Sequence, residues 1–174
     1  MTNCFRRWVC RGAAVAVLAL PACGGGGDVE ASCGEVERVV DSRASGHVLD
    51  VDAAKYDHHP PASGPHFGGK PPKPGVYDEP IPEAKQVLSL EVGVVVVQYD
   101  EALAGEAGGL EALARARDDV IVAPAATPID GGSLVAFTAW QVRRRCDGLS
   151  DAVVADAQAW IEEYAGVTPE EFRE

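Results

Sequence analysis

The sequence predicts an α+β domain: a mixed β-sheet of about four strands covered in two layers by two helices, with a long Pro/Gly-rich loop region before the sheet. Three observations predict it. Residues 94–97 are four consecutive valines continued by Gln98 and Tyr99, and a β-branched run apolar on both faces belongs in the middle of a sheet. Residues 150–165 carry an apolar stripe at helical spacing, Val153, Val154, Ala157, Trp160, Ile161 and Tyr164, with Asp156, Glu162 and Glu163 opposite. Residues 42–82 show little periodicity and hold eight of the twelve prolines, which is the composition of a long loop.

In chain order, Arg6, Arg7 and Arg11 precede an apolar run over residues 13–20 and then Leu20-Pro21-Ala22-Cys23. This is the layout of a secretory signal, with an apolar core too short to span a bilayer. The Leu-x-Ala-Cys box resembles a bacterial lipoprotein signal, in which Cys23 receives the lipid and becomes the first mature residue. An ordinary secretory signal with an accidental Cys23 is the other reading. The expected organisation is therefore a signal over 1–22, a lipid-anchored tether over 23–32 that includes Gly24 to Gly27, and one domain over 33–174. Its expected address is extracytoplasmic, on the bacterial cell envelope, with lipid on Cys23 as the only membrane attachment.

Charge narrows the partners. The chain has 15 basic and 27 acidic residues, and removal of residues 1–22 takes three arginines and no acid. So acidic a domain is a poor ligand for nucleic acid or for a polybasic type of membrane contact. Of five cysteines, Cys4 and Cys10 leave with the signal and Cys23 carries lipid, so Cys33 and Cys146 remain as an expected disulfide. Closing so long a loop restrains the unfolded chain by about 4 kcal/mol.

Within the domain, residues 35–40 read as a short helix or strand. Val87, Ser89 and Glu91 alternate with Leu88, Leu90 and Val92, which predicts a first strand over 87–92. Gly93 interrupts it, and the valine run forms the second strand. Asp100 can cap a helix after that strand, but Gly105, Gly108 and Gly109 weaken its first half, so a helix is expected only over 109–117. Residues 120–123 form a short buried strand stopped by Pro124, 127–132 a turn, and 134–143 one long strand. Ser150 caps the last helix, Asp151 suits its dipole, and Gly166 and Pro169 end it. Arg143, Arg144 and Arg145 read as a solvated strand end.

The candidate site is the stretch from Tyr56 to His66, Tyr-Asp-His-His-Pro-Pro-Ala-Ser-Gly-Pro-His, which holds three of the four histidines. The fourth, His47, lies a few residues before it. Pro60, Pro61 and Pro65 stiffen the loop and Gly64 supplies a corner, so imidazoles can be held there at low entropic cost. His47, His66, His59 and Glu91, with His58 and Asp57 as further candidates, offer imidazole and carboxylate ligands to a transition metal such as copper, zinc or nickel. The competing reading leaves His58 and His59 in solvent and makes His66 a buried residue that locks the loop to the sheet by pairing with Glu91. Tyr56, Ser63 and Tyr77 are expected to line a cleft beside His66. Catalysis is poorly supported: Ser63 lies near His66 but lacks the strand-turn-helix setting of a nucleophile elbow.

Several motifs, in order, resemble the bacterial extracytoplasmic proteins grouped as domain of unknown function 3105. They are His47-Val48, Pro60-Pro61-Ala62-Ser63-Gly64-Pro65-His66, Gly75-Val76-Tyr77-Asp78-Glu79-Pro80, Leu90-Glu91-x-Gly93, Val122-Ala123-Pro124 and Thr138-Ala139-Trp140. The Pro-Pro-x-Ser-Gly-Pro-His piece is the specific one. The resemblance implies no established reaction. One departure stands out: many such proteins read His-x-Leu-Glu-His-Gly where this chain has Leu88-Ser89-Leu90-Glu91-Val92-Gly93, so two histidines expected in a strand are apolar here. If those histidines ligate a metal in relatives, this chain has lost part of that set. A structural or protein-interaction role in the envelope is then the alternative to ligand or metal binding.

Overall fold

A computed structural model describes residues 30–43, 46–48 and 55–171. The expected signal, Cys23 and most of the tether lie outside the described residues. Among the described residues there are eight strands, β1 (Glu37–Arg38), β2 (Gly46–Val48), β3 (Pro65–Phe67), β4 (Gly75–Val76), β5 (Val95–Tyr99), β6 (Val120–Pro124), β7 (Val135–Ala139) and β8 (Val142–Cys146). Three helices join them, α1 (Glu83–Glu91), α2 (Gly108–Arg115) and α3 (Asp151–Tyr164). Six strands form a mixed sheet in the order β1-β8-β7-β5-β6-β4, while β2 and β3 pair in parallel apart from it. The α+β class stands, with more strands and helices than the sequence suggested.

Strand β5 is central, parallel to β6 and antiparallel to β7, and its alternate residues enter two different cores. Val95, Val97 and Tyr99 pack with Phe137, Leu110, Val153, Trp160 and Ile161 under α2 and α3. Val96 packs on the other face with Val87, Leu90, Ile81, Tyr56 and Trp140, under α1 and the proline-rich loop. Two covered faces explain why the valine run has no polar side. They also make three layers where two were expected.

Two element assignments change. Residues 83–91 are helix α1, not a strand. Of its nine residues only Val87 is β-branched, and Ala84, Lys85, Gln86, Leu88 and Leu90 are good helix formers, so propensity outweighs a short alternation that helix and strand share. A buried polar chain seats α1 on the sheet: the Gln98 side-chain amide donates to Gln86 Oε1 at 2.9 Å, and Gln86 Nε2 donates to the Ile81 carbonyl at 2.6 Å. Gly93, at φ 81°, then reverses the chain where a Cβ would meet the Gly166 backbone at 2.9 Å.

The long strand expected over 134–143 is a hairpin, β7 and β8 with a turn at Trp140 and Gln141. Gln141 takes φ 61° without being glycine, so no turn signal marks it. Its backbone is held from both sides: its N–H donates to the Ala62 carbonyl at 2.7 Å and its carbonyl accepts from Val39 N at 2.8 Å. Cys33 and Cys146 are joined by a disulfide that ties the start of the domain to the end of β8. Ser150 caps α3, accepting from Val153 N at 3.3 Å.

Candidate metal centre

Helix α1, strand β2 and strand β3 bring three predicted residues to one point. Parallel pairing sets His47 of β2 directly opposite His66 of β3, and their rings meet edge to face with centroids 5.1 Å apart. Glu91 is the last residue of α1. Its Oε2 lies 2.8 Å from His66 Nε2 and 3.9 Å from His47 Nε2. One donor atom from each of the three falls within 4.8 Å of the others, the one such grouping among the described residues.

The loop that carries His66 is pinned along its length. Tyr56 donates its phenol to the Pro65 carbonyl, and burial with the nearby Glu83 charge pushes that phenol well above the ordinary range. Ser63 is buried, donating to the Val39 carbonyl and accepting from Asp41 N. Gly64 has φ 116°, and a Cβ there would lie 2.9 Å from the Asp41 side chain, so the corner before His66 admits glycine alone. The His59–Pro60 peptide bond is cis. The hydrogen bonds of Tyr56 and Ser63 and the Gly64 corner hold His66 in one orientation.

His66 is almost wholly buried, with 1 % of its side chain exposed. Its Nδ1 lies 2.9 Å from the Gly64 carbonyl, which can only accept, so the ring proton of the neutral imidazole sits on Nδ1. In that neutral form Nε2 presents a lone pair. Although Glu91 Oε2 is 2.8 Å away, it is out of hydrogen-bonding alignment, and the buried Nε2 has no hydrogen-bond partner. His47, by contrast, has 63 % of its side chain exposed and Glu91 34 %, so the point of convergence opens to solvent on one side.

His59 does not join this group. Its Nδ1 is 2.7 Å from Glu83 Oε1 at the other end of α1. His58 is half exposed, 3.6 Å from Asp130, and Asp57 accepts from Ser42. The expected common cleft does not form either: Tyr56 and Ser63 border a crevice with no room for a water molecule, whereas Tyr77 lines a separate cavity. Leu88 and Val92, the positions of the two histidines that the resemblance led one to expect in a strand, lie one helical turn apart on and just after α1; Leu88 is buried and Val92 exposed.

The arginine run is the clearest miss. Arg143 is not solvated but buried, donating to Glu37 Oε2, to Asp130 Oδ2 and to the His59 carbonyl, each at 2.9 Å. Arg145 also reaches Glu37. Burial opposes ionisation of Glu37 and of Asp130, but hydrogen bonds from these arginines, with the His59 N–H at Asp130, hold both carboxyls below their ordinary values. No sequence signal marks the network, because its members come from β1, the turn before β7, and β8.

A family model described as Protein of unknown function (DUF3105) matches residues 47–173. No curated protein and no solved structure matches the chain.

Proposed function

The chain belongs to the DUF3105 family, and with no reaction to inherit from it we propose that the protein is a lipid-anchored extracytoplasmic metal-binding module, holding one divalent zinc or copper ion on His47, His66 and Glu91. The observation that carries the reading is the bare, buried Nε2 of His66 beside a carboxylate that does not accept a proton from it. Ligands of one ion do not point at each other; they point at the ion. Donor atoms of a tetrahedral zinc site at ordinary bond lengths stand about 3.4 Å apart, and the separations of 2.8 and 3.9 Å bracket that value.

Charge supports it as well. Glu91 ends α1, where the helix dipole is negative, and the last turn has no basic residue to offset it. A carboxylate, a helix C-terminus and an imidazole lone pair on one spot repel one another until a cation arrives. The Gly64 carbonyl fixes the His66 tautomer, as outer partners of metal-bound histidines do. Two nitrogens and one oxygen suit zinc or copper(II), and with both domain cysteines in the disulfide no thiolate competes. A signal over 1–22 and lipid on Cys23 would keep the module at the envelope.

A second reading, a structural envelope protein in which His66 locks its loop to α1, is favoured by the 2.8 Å contact itself. Native mass spectrometry of the purified protein with zinc and with copper, beside His66→Ala, separates the two. One equivalent of metal retained by the wild type and lost in the variant is expected. Retention by neither leaves the loop lock.

A further inference from the structure

A second site lies at the opposite end of α1. A cavity of about 460 Å³ opens between the 70–73 loop, the 79–82 segment and the first turn of the helix. The chain contains four lysines, and three of them, Lys70, Lys73 and Lys85, line this one cavity. That is a marked concentration in a chain of net charge −12. Among the ion pairs of the described residues none involves a lysine, and Glu79 is the only acid on the wall.

Between the ammonium groups the wall is apolar and stiff, built from Tyr77, Ile81 and four prolines. Both sides are tied down. Tyr77 donates its hydroxyl to the Lys73 carbonyl at 2.7 Å and its N–H to Val122 at 2.9 Å, which fixes the lysine loop to the sheet edge beside β4. Gln86 holds the Ile81 carbonyl on the other side. Pro82 precedes α1 and also lines the cavity, which places the N-terminal end of the helix at its wall. Prolines hold the wall in shape before a ligand arrives, so little ordering opposes binding.

We infer that this cavity binds a small organic anion, an apolar body bearing one carboxylate, sulfonate or phosphate headgroup. The volume falls within the usual range for small-molecule sites. The headgroup meets the lysines, and the body lies on the prolines and Tyr77. Elsewhere the acidic surface repels anions, so binding is confined to this face. The site is independent of the metal centre: Lys85 and Glu91 are six residues apart, about 9 Å along the helix.

The test uses two fluorescent probes of similar shape, anionic 1-anilinonaphthalene-8-sulfonate and neutral N-phenyl-1-naphthylamine, with EDTA present so that no metal mediates contact. The wild-type protein is expected to bind the sulfonate at one saturable site. Lys70→Gln, Lys73→Gln and Lys85→Gln together should weaken it at least tenfold and leave the neutral probe unchanged. The three side chains belong to exposed residues, so the variant should keep the wild-type melting curve. Displacement by octanoate assigns a free organic acid, and displacement only by phosphatidylglycerol vesicles assigns a lipid headgroup. Equal sulfonate affinity in wild type and variant, a neutral probe bound as tightly as the anion, or displacement by neither competitor overturns the proposal.

Discussion

His59 with Glu83 and His66 with Glu91 sit at the two ends of α1, at separations of 2.7 and 2.8 Å. Both histidines belong to the same proline-braced segment. At the N-terminal end the imidazole and carboxylate are aligned as a hydrogen bond, and the helix dipole favours Glu83. At the C-terminal end neither condition holds: His66 donates from Nδ1 to the Gly64 carbonyl, Nε2 has no hydrogen-bond partner, and the dipole disfavours Glu91. Equal distances thus hide opposite electrostatics. One pair is a satisfied clasp, while the other lacks a positive charge.

The clasp end is the more deeply anchored, and breaking it has the largest expected effect. Arg143 has 3 % of its side chain exposed and holds the His59 carbonyl, Glu37 and Asp130 together. Arg143→Met leaves Asp130 beside the loop without its cation and should cost about 3–5 kcal/mol in urea unfolding. The pH dependence has a definite sign. Glu37 and Asp130 have ordinary values of 4.5 and 3.8 and lie below them in the folded state. Their contribution is therefore complete above those values and disappears as pH falls through the lower folded ones. Wild type and variant should accordingly differ most near neutrality and converge in acid; a gap that stays constant to about pH 2 would refute the ionic account.

Glu91→Gln sharpens the contrast at the other end, because a clasp and a ligand respond with opposite signs. The new amide can donate to His66 Nε2, so the metal-free protein should be unchanged or gain up to about 1 kcal/mol. Metal affinity should fall at least about 100-fold, more than losses of outer partners usually cause. Calorimetric zinc titration and metal-free thermal unfolding read the two quantities separately. A destabilised variant that still binds zinc would make Glu91 a structural partner of His66.

How legible is this in the sequence? His66 and Glu91 are identifiable as candidate donors, because a histidine in a proline-braced loop and a carboxylate in an apolar segment are both costly to place without a partner, and His47 is the remaining histidine outside that loop. The way they meet is not. Register between β2 and β3, two strands of three residues, comes from tertiary contacts, and Glu91 lies in a segment whose strand-like alternation a short helix also satisfies. The valine run and the amphipathic stripe of α3 read correctly because each is a long local pattern. The hairpin at Gln141 and the burial of Arg143 do not, since the turn lacks glycine and the arginine depends on partners about 13 and 106 residues away. Lys70, Lys73 and Lys85 have no common period, so only the fold gathers them.

The smallest expected effect is also the one that separates the two histidine pairs most directly. His59→Gln removes an aligned hydrogen bond to Glu83 that is partly open to solvent, 29 % of the histidine side chain being exposed. A loss of about 1 kcal/mol is expected, because the Asp130 N–H still donates to the residue 59 carbonyl and Arg143 still holds it. Zinc affinity should stay within about twofold, since His59 is tied to the opposite end of α1 from Glu91 and a bond lost there leaves β2, β3 and the Gly64 corner as they were. Were zinc affinity instead to fall as far as in Glu91→Gln, His59 would have to leave Glu83 for the metal. The clasp and the ligand set would then be two arrangements of one loop, and the difference in alignment between the two pairs would describe only the metal-free state.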